Sequence, residues 1–144
     1  MTIIAYKDGV IAYDSRVTIG SLIDDDDAEK MVVSRGHRFF FAGNLSDQAR
    51  FLDAFFEPGT KLPDSCVGAF VLTPDDVLLV AGVDSDTDVV SSYPVRKDAH
   101  HAMGSGRDFA LAAMDLGMTA AIGVKSAISR DTRCGGKIRT CKIK

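Results

Sequence analysis

Residues 2–16 read TIIAYKDGVIAYDSR, and this stretch sets how the chain begins to fold. Apolar and β-prone residues occupy positions 3–6 and 10–13, and Asp8-Gly9 lies between the two runs. Two such runs around an Asp-Gly pair are typical of a β-hairpin. We therefore expect the chain to open with extended structure that turns at this pair.

The remainder of the chain adds further strands and three helices. Helical spacing follows Ser46, which we expect to be an N-cap, recurs after Gly106, and covers 120–130. The order of strands and helices lacks the alternation of a βαβ fold, so we expect a layered α+β sandwich with mainly antiparallel sheets and helices packed outside them. The further strand patterns are at 31–33, 37–42, 66–73, 77–81, 89–93 and 137–144.

Length, composition and charge narrow the class of protein. A chain of 144 residues that is 46% apolar and has no repeat or linker predicts one domain over residues 1–144. The net charge of −3 gives no general attraction to nucleic acid or to an anionic membrane. The apolar runs are too short to span a bilayer, and the start of the sequence lacks the apolar region of a signal peptide. We expect a soluble, cytoplasmic protein.

Metal and disulfide chemistry is not expected. The three cysteines are odd in number and show no CxxC spacing, and no histidine lies at ligand spacing from one of them. The sequence therefore predicts no metal and no cofactor. The acidic run at 24–27 is interpreted as a solvated loop, with calcium binding or a basic partner as the alternatives.

Thr2 is the first candidate for chemistry. Methionine aminopeptidases remove an initial methionine when the next residue is small, so loss of Met1 would leave a free α-amino group on Thr2. An N-terminal threonine carries both a nucleophilic hydroxyl and a base, because the α-amine has a pKa of about 8 in model peptides. Taken alone this is weak evidence, since many proteins begin with Met-Thr.

Several separated segments together are more informative than Thr2 alone. In order and local spacing they resemble the proteasome β-subunit and HslV family of N-terminal-nucleophile hydrolases. This resemblance implies a four-layer αββα sandwich of two mainly antiparallel sheets. Only about eight residues separate the first helix from the next strand, where the family has a helical hairpin, so we expect a reduced helical layer. The matching segments are 2–5, 9–18, 28–31, 41–47, 104–106, 126–131 and 135–136.

The resemblance assigns a role to each matching residue. A charged lysine beside a hydroxyl would favour proton loss from it, and a glycine N–H can stabilise an oxyanion without rearrangement. The remaining pair would orient the α-amino group. The implied catalytic residues are Thr2 (nucleophile), Asp14 (acid), Lys30 (electrostatic), Gly43 (oxyanion) and the pair Ser105 and Asp131.

The resemblance also implies a peptide or unfolded-protein substrate. Val17 and Thr18 fall on the strand edge along which the family lays out a peptide by main-chain hydrogen bonds, and Phe41 and Leu45 would line a side-chain pocket by analogy. A homo-oligomer is expected, with a ring as one form. The shortened helical layer leaves an ATPase partner in doubt.

Each assignment has a structural alternative. Asp14 and Lys30 could form a surface ion pair, Gly43 could serve only the turn before a helix, Ser105 could be an N-cap, and Asp131 could end a helix.

Two departures from the family pattern bear on the site. Cys134 stands where many relatives have a serine, and a thiol is the weaker hydrogen-bond donor. The first hairpin is one or two residues short, so Met1 instead of Thr2 could align with the usual nucleophile.

Three functions remain open at this point. The first is a threonine-type peptidase that works through an acyl-enzyme. The second is an assembly or interaction subunit that keeps the fold without turnover. The third, an amidase for a small molecule, differs from the first only in the shape of its pocket.

Overall fold

The computed structural model describes residues 2–143, which form two compact units. The first unit contains the described residues up to Lys30 and those from Arg96 onward, and the second is Met31–Val95. The strands are β1 (Ile3–Lys7), β2 (Val10–Tyr13), β3 (Val17–Ile19), β4 (Leu22–Asp25), β5 (Met31–Ser34), β6 (His37–Gly43), β7 (Val67–Leu72), β8 (Leu78–Val83), β9 (Val90–Pro94), β10 (His101–Gly104) and β11 (Arg139–Lys142). The helices are α1 (Gln48–Phe56), α2 (Arg107–Asp115) and α3 (Ala120–Arg130), and a 3-10 turn, Leu45–Asp47, precedes α1.

The first unit is built on a four-stranded antiparallel sheet in the order β10-β1-β2-β11. Helices α2 and α3 pack against each other and against β1. The core beneath them joins Ile3 and Ala5 of β1 to Met114 of α2 and Val124 of α3, all of which are buried. A separate hairpin of β3 and β4 carries a bulge at Val17/Thr18. The central position of β1 holds the residue before it, Thr2, inside the unit.

The second unit is a five-stranded antiparallel meander, β5-β6-β7-β8-β9, in which each strand pairs with the next along the chain. Helix α1 packs on this sheet through Phe51, whose ring meets that of Phe41 edge to face at 5.7 Å between centroids. Phe41 also stacks on Phe39. Alternate aromatic residues of β6 thus supply the core that anchors α1.

The predicted fold class is confirmed: the chain is α+β with antiparallel sheets, few helices and elements consistent with a sandwich. Each unit has its own apolar core. The assignment of residues 1–144 to a single domain stays a prediction. No helix within residues 2–143 is long and apolar enough to cross a membrane.

Two local predictions are wrong. Ser46 is not the N-cap of the first long helix, because a 3-10 turn comes first and α1 begins after Asp47, whose side chain makes no cap hydrogen bond. The Asp47 carboxylate instead accepts a hydrogen bond from Arg50, which ties the first helical turn together. The acidic run is also not wholly a loop, since its first two residues lie in β4.

Candidate active site

Three side chains predicted to act together meet in the first unit. Lys30 Nζ lies 2.5 Å from Thr2 Oγ1 and 2.7 Å from Asp14 Oδ1, and the Thr2 hydroxyl donates to the same carboxylate oxygen. All three residues are buried: Thr2 is 2% exposed, Asp14 0% and Lys30 6%. The alternative of a surface ion pair for Asp14 and Lys30 is therefore wrong.

The first hairpin explains how Thr2 and Asp14 come together. Thr2 precedes β1 and Asp14 follows β2, and the Asp14 N–H donates to the Ile3 carbonyl at 3.2 Å, which extends the pairing of the two strands past their ends. Lys30 arrives from the β3–β4 hairpin. The Ala28 N–H donates to the Ser15 carbonyl at 3.0 Å and so holds the segment before Lys30 against the residue after Asp14.

The Asp14 carboxylate is enclosed by donors. Its Oδ1 accepts from Thr2 and Lys30 and also from the Ile3 N–H at 3.2 Å, and its Oδ2 accepts from the Gly135 N–H at 3.0 Å. Because both oxygens are engaged, the carboxylate has a fixed orientation, and Oδ1 faces the hydroxyl and the ammonium.

Burial changes the acid–base character of Lys30. Removing its ammonium from water lowers the pKa of Lys30 below the usual value, and the nearby Asp14 carboxylate opposes this shift by attraction and by a hydrogen bond. The ammonium is thus paired with the Asp14 carboxylate at a buried position. A positive charge in contact with Thr2 Oγ1 favours the ionised hydroxyl, which is the reactive form of the group.

A second cluster contacts the main chain of Thr2. The Thr2 carbonyl lies 3.4 Å from both the Ser105 hydroxyl and the Gly106 N–H. Ser105 also hydrogen-bonds the carboxylate of Asp131, the residue that follows α3. The structure therefore brings Ser105 and Asp131 together beside Thr2, as the sequence predicts. Their roles in catalysis stay predictions.

Asp131 is an acid with several donors. Burial raises the pKa of its carboxyl group, but hydrogen bonds from Ser105, from the N–H and guanidinium of Arg133 and from Cys134 outweigh burial and bring the pKa to about 2. Asp131 therefore remains ionised throughout the physiological range and can hold a cation or an N–H donor.

Cys134 completes this cluster as a thiol. Its Sγ donates to Asp131 Oδ2 at 3.5 Å and lies 3.7 Å from Ser105 Oγ. Burial and the neighbouring carboxylates raise the pKa of Cys134 to about 12, although the Ser105 hydrogen bond opposes the rise. A thiol that stays protonated is a poor nucleophile, so this residue acts as a weak donor to Asp131.

The other predicted residues lie elsewhere in the chain. Val17 and Thr18 lie in β3 of the first unit, whereas Gly43, Phe41 and Leu45 belong to the second unit. Phe41 is 2% exposed, and its ring packs against Phe39 and Phe51 inside the core, which leaves almost none of its surface for a substrate. Leu45 is 54% exposed at the start of the 3-10 turn.

Gly43 has a structural requirement of its own. Its φ of +105° is unfavourable for other residues, and a Cβ at this position would lie 1.9 Å from the Cys66 carbonyl oxygen. Glycine is thus needed where β6 ends, whatever its N–H does. The oxyanion role of Gly43 rests on the resemblance alone and stays a prediction.

Nothing in the sequence indicated that Ser15 supports the site, or that the turn at 135–136 supplies a backbone donor to Asp14. Ser15 is fully buried, its hydroxyl donates to the Lys137 carbonyl at 2.5 Å, and its N–H donates to the Gly135 carbonyl at 3.0 Å. These bonds hold the turn beside Asp14. The paired glycines were the only signal in the sequence, because a backbone N–H donor leaves no mark on residue type.

The acidic run is partly paired. Asp26 accepts hydrogen bonds from Arg16 at 2.7 and 3.1 Å, and Asp27 accepts one from Arg139 at 2.8 Å. Within residues 2–143 no group of three or more acidic, histidine or cysteine side chains is arranged to hold a metal ion.

Comparison with known proteins identifies a shared fold. Two structures of Thiobacillus denitrificans BPH match the chain at 17% sequence identity. The structure in complex with epoxomicin has a TM-score of 0.68 and the match covers 100% of both chains, while the other has a TM-score of 0.66 over 99% of this chain and 98% of that one. No family model matches the chain, and no curated protein sequence matches it.

The hydrogen bonds to Asp131 predict a pH-dependent contribution to stability. Because its folded pKa of about 2 lies below the ordinary value of 3.8, the ionised carboxylate stabilises the folded state above pH 4, and this contribution disappears as the pH falls toward 2. Asp131→Asn should lower the free energy of unfolding by roughly 2 kcal/mol at pH 7. Urea titrations between pH 2.5 and 7 should show that the difference in free energy of unfolding between wild type and Asp131→Asn becomes smaller as the pH falls. Asp98→Asn, at an exposed pair with Arg96, should change little at any pH.

The raised pKa and the burial of the Cys134 thiol predict that an alkylating reagent will discriminate between the cysteines of the folded protein. With a pKa of about 12, roughly one Cys134 thiol in ten thousand is ionised at pH 8, and the residue is 1% exposed. Iodoacetamide should therefore alkylate exposed Cys66 at least a hundredfold faster than Cys134 in the folded protein. In urea, where the protein is unfolded, the two cysteines should be alkylated at equal rates. Peptide mapping by mass spectrometry measures both rates. Rapid labelling of Cys134 without denaturant would contradict the assignment.

Proposed function

We propose that this chain is a proteasome-like N-terminal threonine hydrolase that cleaves peptide bonds, with Thr2 as its nucleophile after removal of Met1. The observation that carries the proposal is the buried contact of Thr2 Oγ1 with the Lys30 ammonium and the Asp14 carboxylate. Met1 itself lies outside the described residues, so its removal is part of the proposal.

This arrangement is better explained by chemistry than by stability. A buried lysine–carboxylate pair gives little net stabilisation, because the loss of hydration offsets the attraction between the charges. A threonine hydroxyl at the end of a strand could be satisfied by a backbone carbonyl. Here Thr2 instead contacts the charged pair formed by Lys30 and Asp14, which is the environment that activates a hydroxyl.

The acylation step uses the two functional groups of Thr2. The Thr2 α-amine accepts the hydroxyl proton directly or through water, and Oγ1 attacks the carbonyl carbon of the peptide bond. As the tetrahedral intermediate collapses, the carbon–nitrogen bond breaks and the proton passes from the amine to the leaving nitrogen. The product is an ester on Thr2 and a free amine. Lys30 stabilises the negative charge that forms on Oγ1.

The deacylation step regenerates the enzyme. A water molecule loses its proton to the Thr2 amine, and its oxygen attacks the ester carbonyl. The bond to Oγ1 then breaks, and the proton returns to this oxygen as the carboxylic acid product leaves. Atoms balance over the cycle as one water consumed for each peptide bond cleaved, and no metal or organic cofactor is needed.

The second cluster supports the geometry of the amine. Ser105 and Gly106 contact the Thr2 carbonyl, which limits rotation of the Thr2 main chain and so aims the α-amine. The ionised Asp131, linked to Ser105, adds a negative charge that favours a proton on the amine during transfer. In this proposal the Gly43 N–H supplies the oxyanion contact.

The β3–β4 hairpin supports a peptide substrate. Within the described residues β3 pairs only with β4, so the other edge of the segment with Val17 and Thr18 has main-chain groups that an extended peptide can pair with. Leu45 is exposed and remains a proposed side-chain contact. An unfolded polypeptide fits these features better than a folded protein does.

Fold similarity supports the same reaction class. The similar Thiobacillus denitrificans BPH structure contains epoxomicin, which is a proteasome inhibitor.

We also propose that the protein is cytoplasmic and forms a homo-oligomer. The homo-oligomer is supported by exposed apolar residues around α2 and α3, which are Phe109, Leu116, Met118 and Ile122.

Epoxomicin tests the proposal, because an epoxyketone can bond to both the hydroxyl and the amine of an N-terminal threonine. Intact mass should show loss of Met1 and addition of one inhibitor to wild type and to Thr2→Ser, but none to Thr2→Ala. All three proteins have a small second residue, so removal of Met1 is matched. Lys30→Met should slow the addition on the order of 100-fold, because the charge beside the hydroxyl is lost.

Two results would count against this function. Retention of Met1 in the purified protein would leave Thr2 without its base. Loss of Met1 without any adduct on wild type would favour the alternative of an assembly subunit that keeps the fold without turnover.

A further inference from the structure

Arg16 and Asp26 form a planar ion pair next to the candidate site. Arg16 Nε donates to Asp26 Oδ1 at 2.7 Å and Nη2 donates to Asp26 Oδ2 at 3.1 Å, which is the two-point contact that guanidinium groups make with carboxylates. The third contact runs from Nη1 to the Thr132 carbonyl at 3.0 Å. The Arg16 side chain is 19% exposed and that of Asp26 is 44% exposed, so the guanidinium is the more enclosed partner and solvent reaches the carboxylate.

The guanidinium lies directly on the glycine turn. A Cβ on Gly135 would lie 2.3 Å from Arg16 Cζ, and a Cβ on Gly136 would lie 2.2 Å from the Asp26 carbonyl oxygen. A side chain at position 135 would displace the Arg16 guanidinium, and one at position 136 would clash with the main chain of Asp26. The two glycines therefore let the pair approach the backbone of the turn as closely as packing allows.

This turn is the same one that supports Asp14. The Gly135 N–H donates to Asp14 Oδ2, and the Gly135 carbonyl accepts from the Ser15 N–H, both at 3.0 Å. A guanidinium packed on Gly135 limits how far that peptide group can move. The Gly135 N–H binds Oδ2 of Asp14, the carboxylate oxygen opposite the one that contacts Thr2.

The pair also acts on the segment that carries Lys30. Asp26 lies four residues before Lys30, and the Ala28 N–H between them binds the Ser15 carbonyl. Arg16 thus connects three pieces of chain: the end of the first hairpin, the segment approaching Lys30, and the turn from 132 to 135. These pieces carry Asp14, Lys30 and the Gly135 N–H.

We propose that Arg16 and Asp26 are positioning residues, which hold the Gly135 N–H and the Lys30 segment in register around Asp14 and so set the geometry of the Thr2 hydroxyl. This inference rests on the proposed function for its effect on rate. Its structural part, the link from Arg16 to Gly135 and Asp14, stands apart from turnover. Among the hydrogen bonds and ion pairs of residues 2–143, none joins either side chain to Thr2.

Arg16→Lys tests the role of the two-point contact, because it keeps the charge and removes the planar fork. The rate of epoxomicin addition at saturation should fall tenfold to a hundredfold, on the order of the loss caused by small displacements in an active site. The inhibitor concentration at half-maximal rate should stay within about twofold, since the substitution leaves the main-chain groups of Val17 and Thr18, which are proposed to pair with the peptide, chemically unchanged. Asp26→Asn should behave alike, and the double variant should be no slower than the slower single variant.

Arg139→Lys is the matched control. Arg139 also pairs with the acidic run, through Asp27, and its side chain is 22% exposed. It makes no hydrogen bond to Asp14 or Gly135 among those of the described residues. It should react within about twofold of wild type. An equal loss in this variant would mean that general loosening of the acidic segment explains the effect, and would overturn the inference.

Hydrogen exchange of the Gly135 amide separates this inference from the proposed function. Exchange should be at least tenfold faster in Arg16→Lys than in wild type and unchanged in Arg139→Lys, whether or not the protein reacts with epoxomicin. If wild type does not react but the amide responds, the proposed function fails and the positioning link stands. If wild type reacts and Arg16→Lys matches it in both rate and exchange, the inference is wrong.

Discussion

The arrangement of the first unit depends on one buried carboxylate. Asp14 has no exposed surface, yet it accepts hydrogen bonds from the start of β1, from Lys30 and from the Gly135 turn. These partners come from three distant parts of the chain. A buried charge is tolerated only where donors surround it, so the packing of this unit has to bring those parts to Asp14.

This requirement accounts for several features that are otherwise unrelated. Lys30 supplies the opposite charge, and the Gly135 N–H satisfies the second carboxylate oxygen. The fully buried Ser15 fixes the turn through its main chain and its hydroxyl. Thr2 completes the set with a hydroxyl in contact with both charges. The same contacts that compensate for burial of the charge also place a nucleophile beside a cation, so structure and proposed chemistry have one origin.

Sequence patterns predicted the strands and helices more accurately than they predicted the contacts between these elements. The two apolar, β-prone runs around Asp8-Gly9 located β1 and β2, and helical spacing located α3 at its observed bounds. The N-cap at Ser46 was wrong because propensity does not register an ion pair such as Asp47–Arg50. The sequence did not predict the β3–β4 hairpin, because the acidic residues of β4 are exposed and the strand therefore lacks the alternation of apolar and polar residues that marks a half-buried strand.

The site was predictable only in part, for physical reasons. Thr2, Asp14, Lys30, Ser105 and Asp131 could be selected because their side chains carry the chemistry, and the structure gathers all five in one unit. The Gly135 N–H and the packing of Arg16 on it were not predictable, since backbone donors and close approaches depend on tertiary structure. The contribution of Gly43 cannot be read from residue type either, because its backbone conformation already requires glycine.

A crystal structure of epoxomicin-treated protein would test the central claim most directly. The account predicts continuous density from Thr2 Oγ1 to the inhibitor and a second bond to the inhibitor from the α-nitrogen of Thr2, which removal of Met1 has exposed. Lys30 and Asp14 should keep their present contacts. Density on Cys66 or Cys141, or an inhibitor held without a bond to Thr2, would contradict the claim that the Lys30–Asp14 pair activates this hydroxyl.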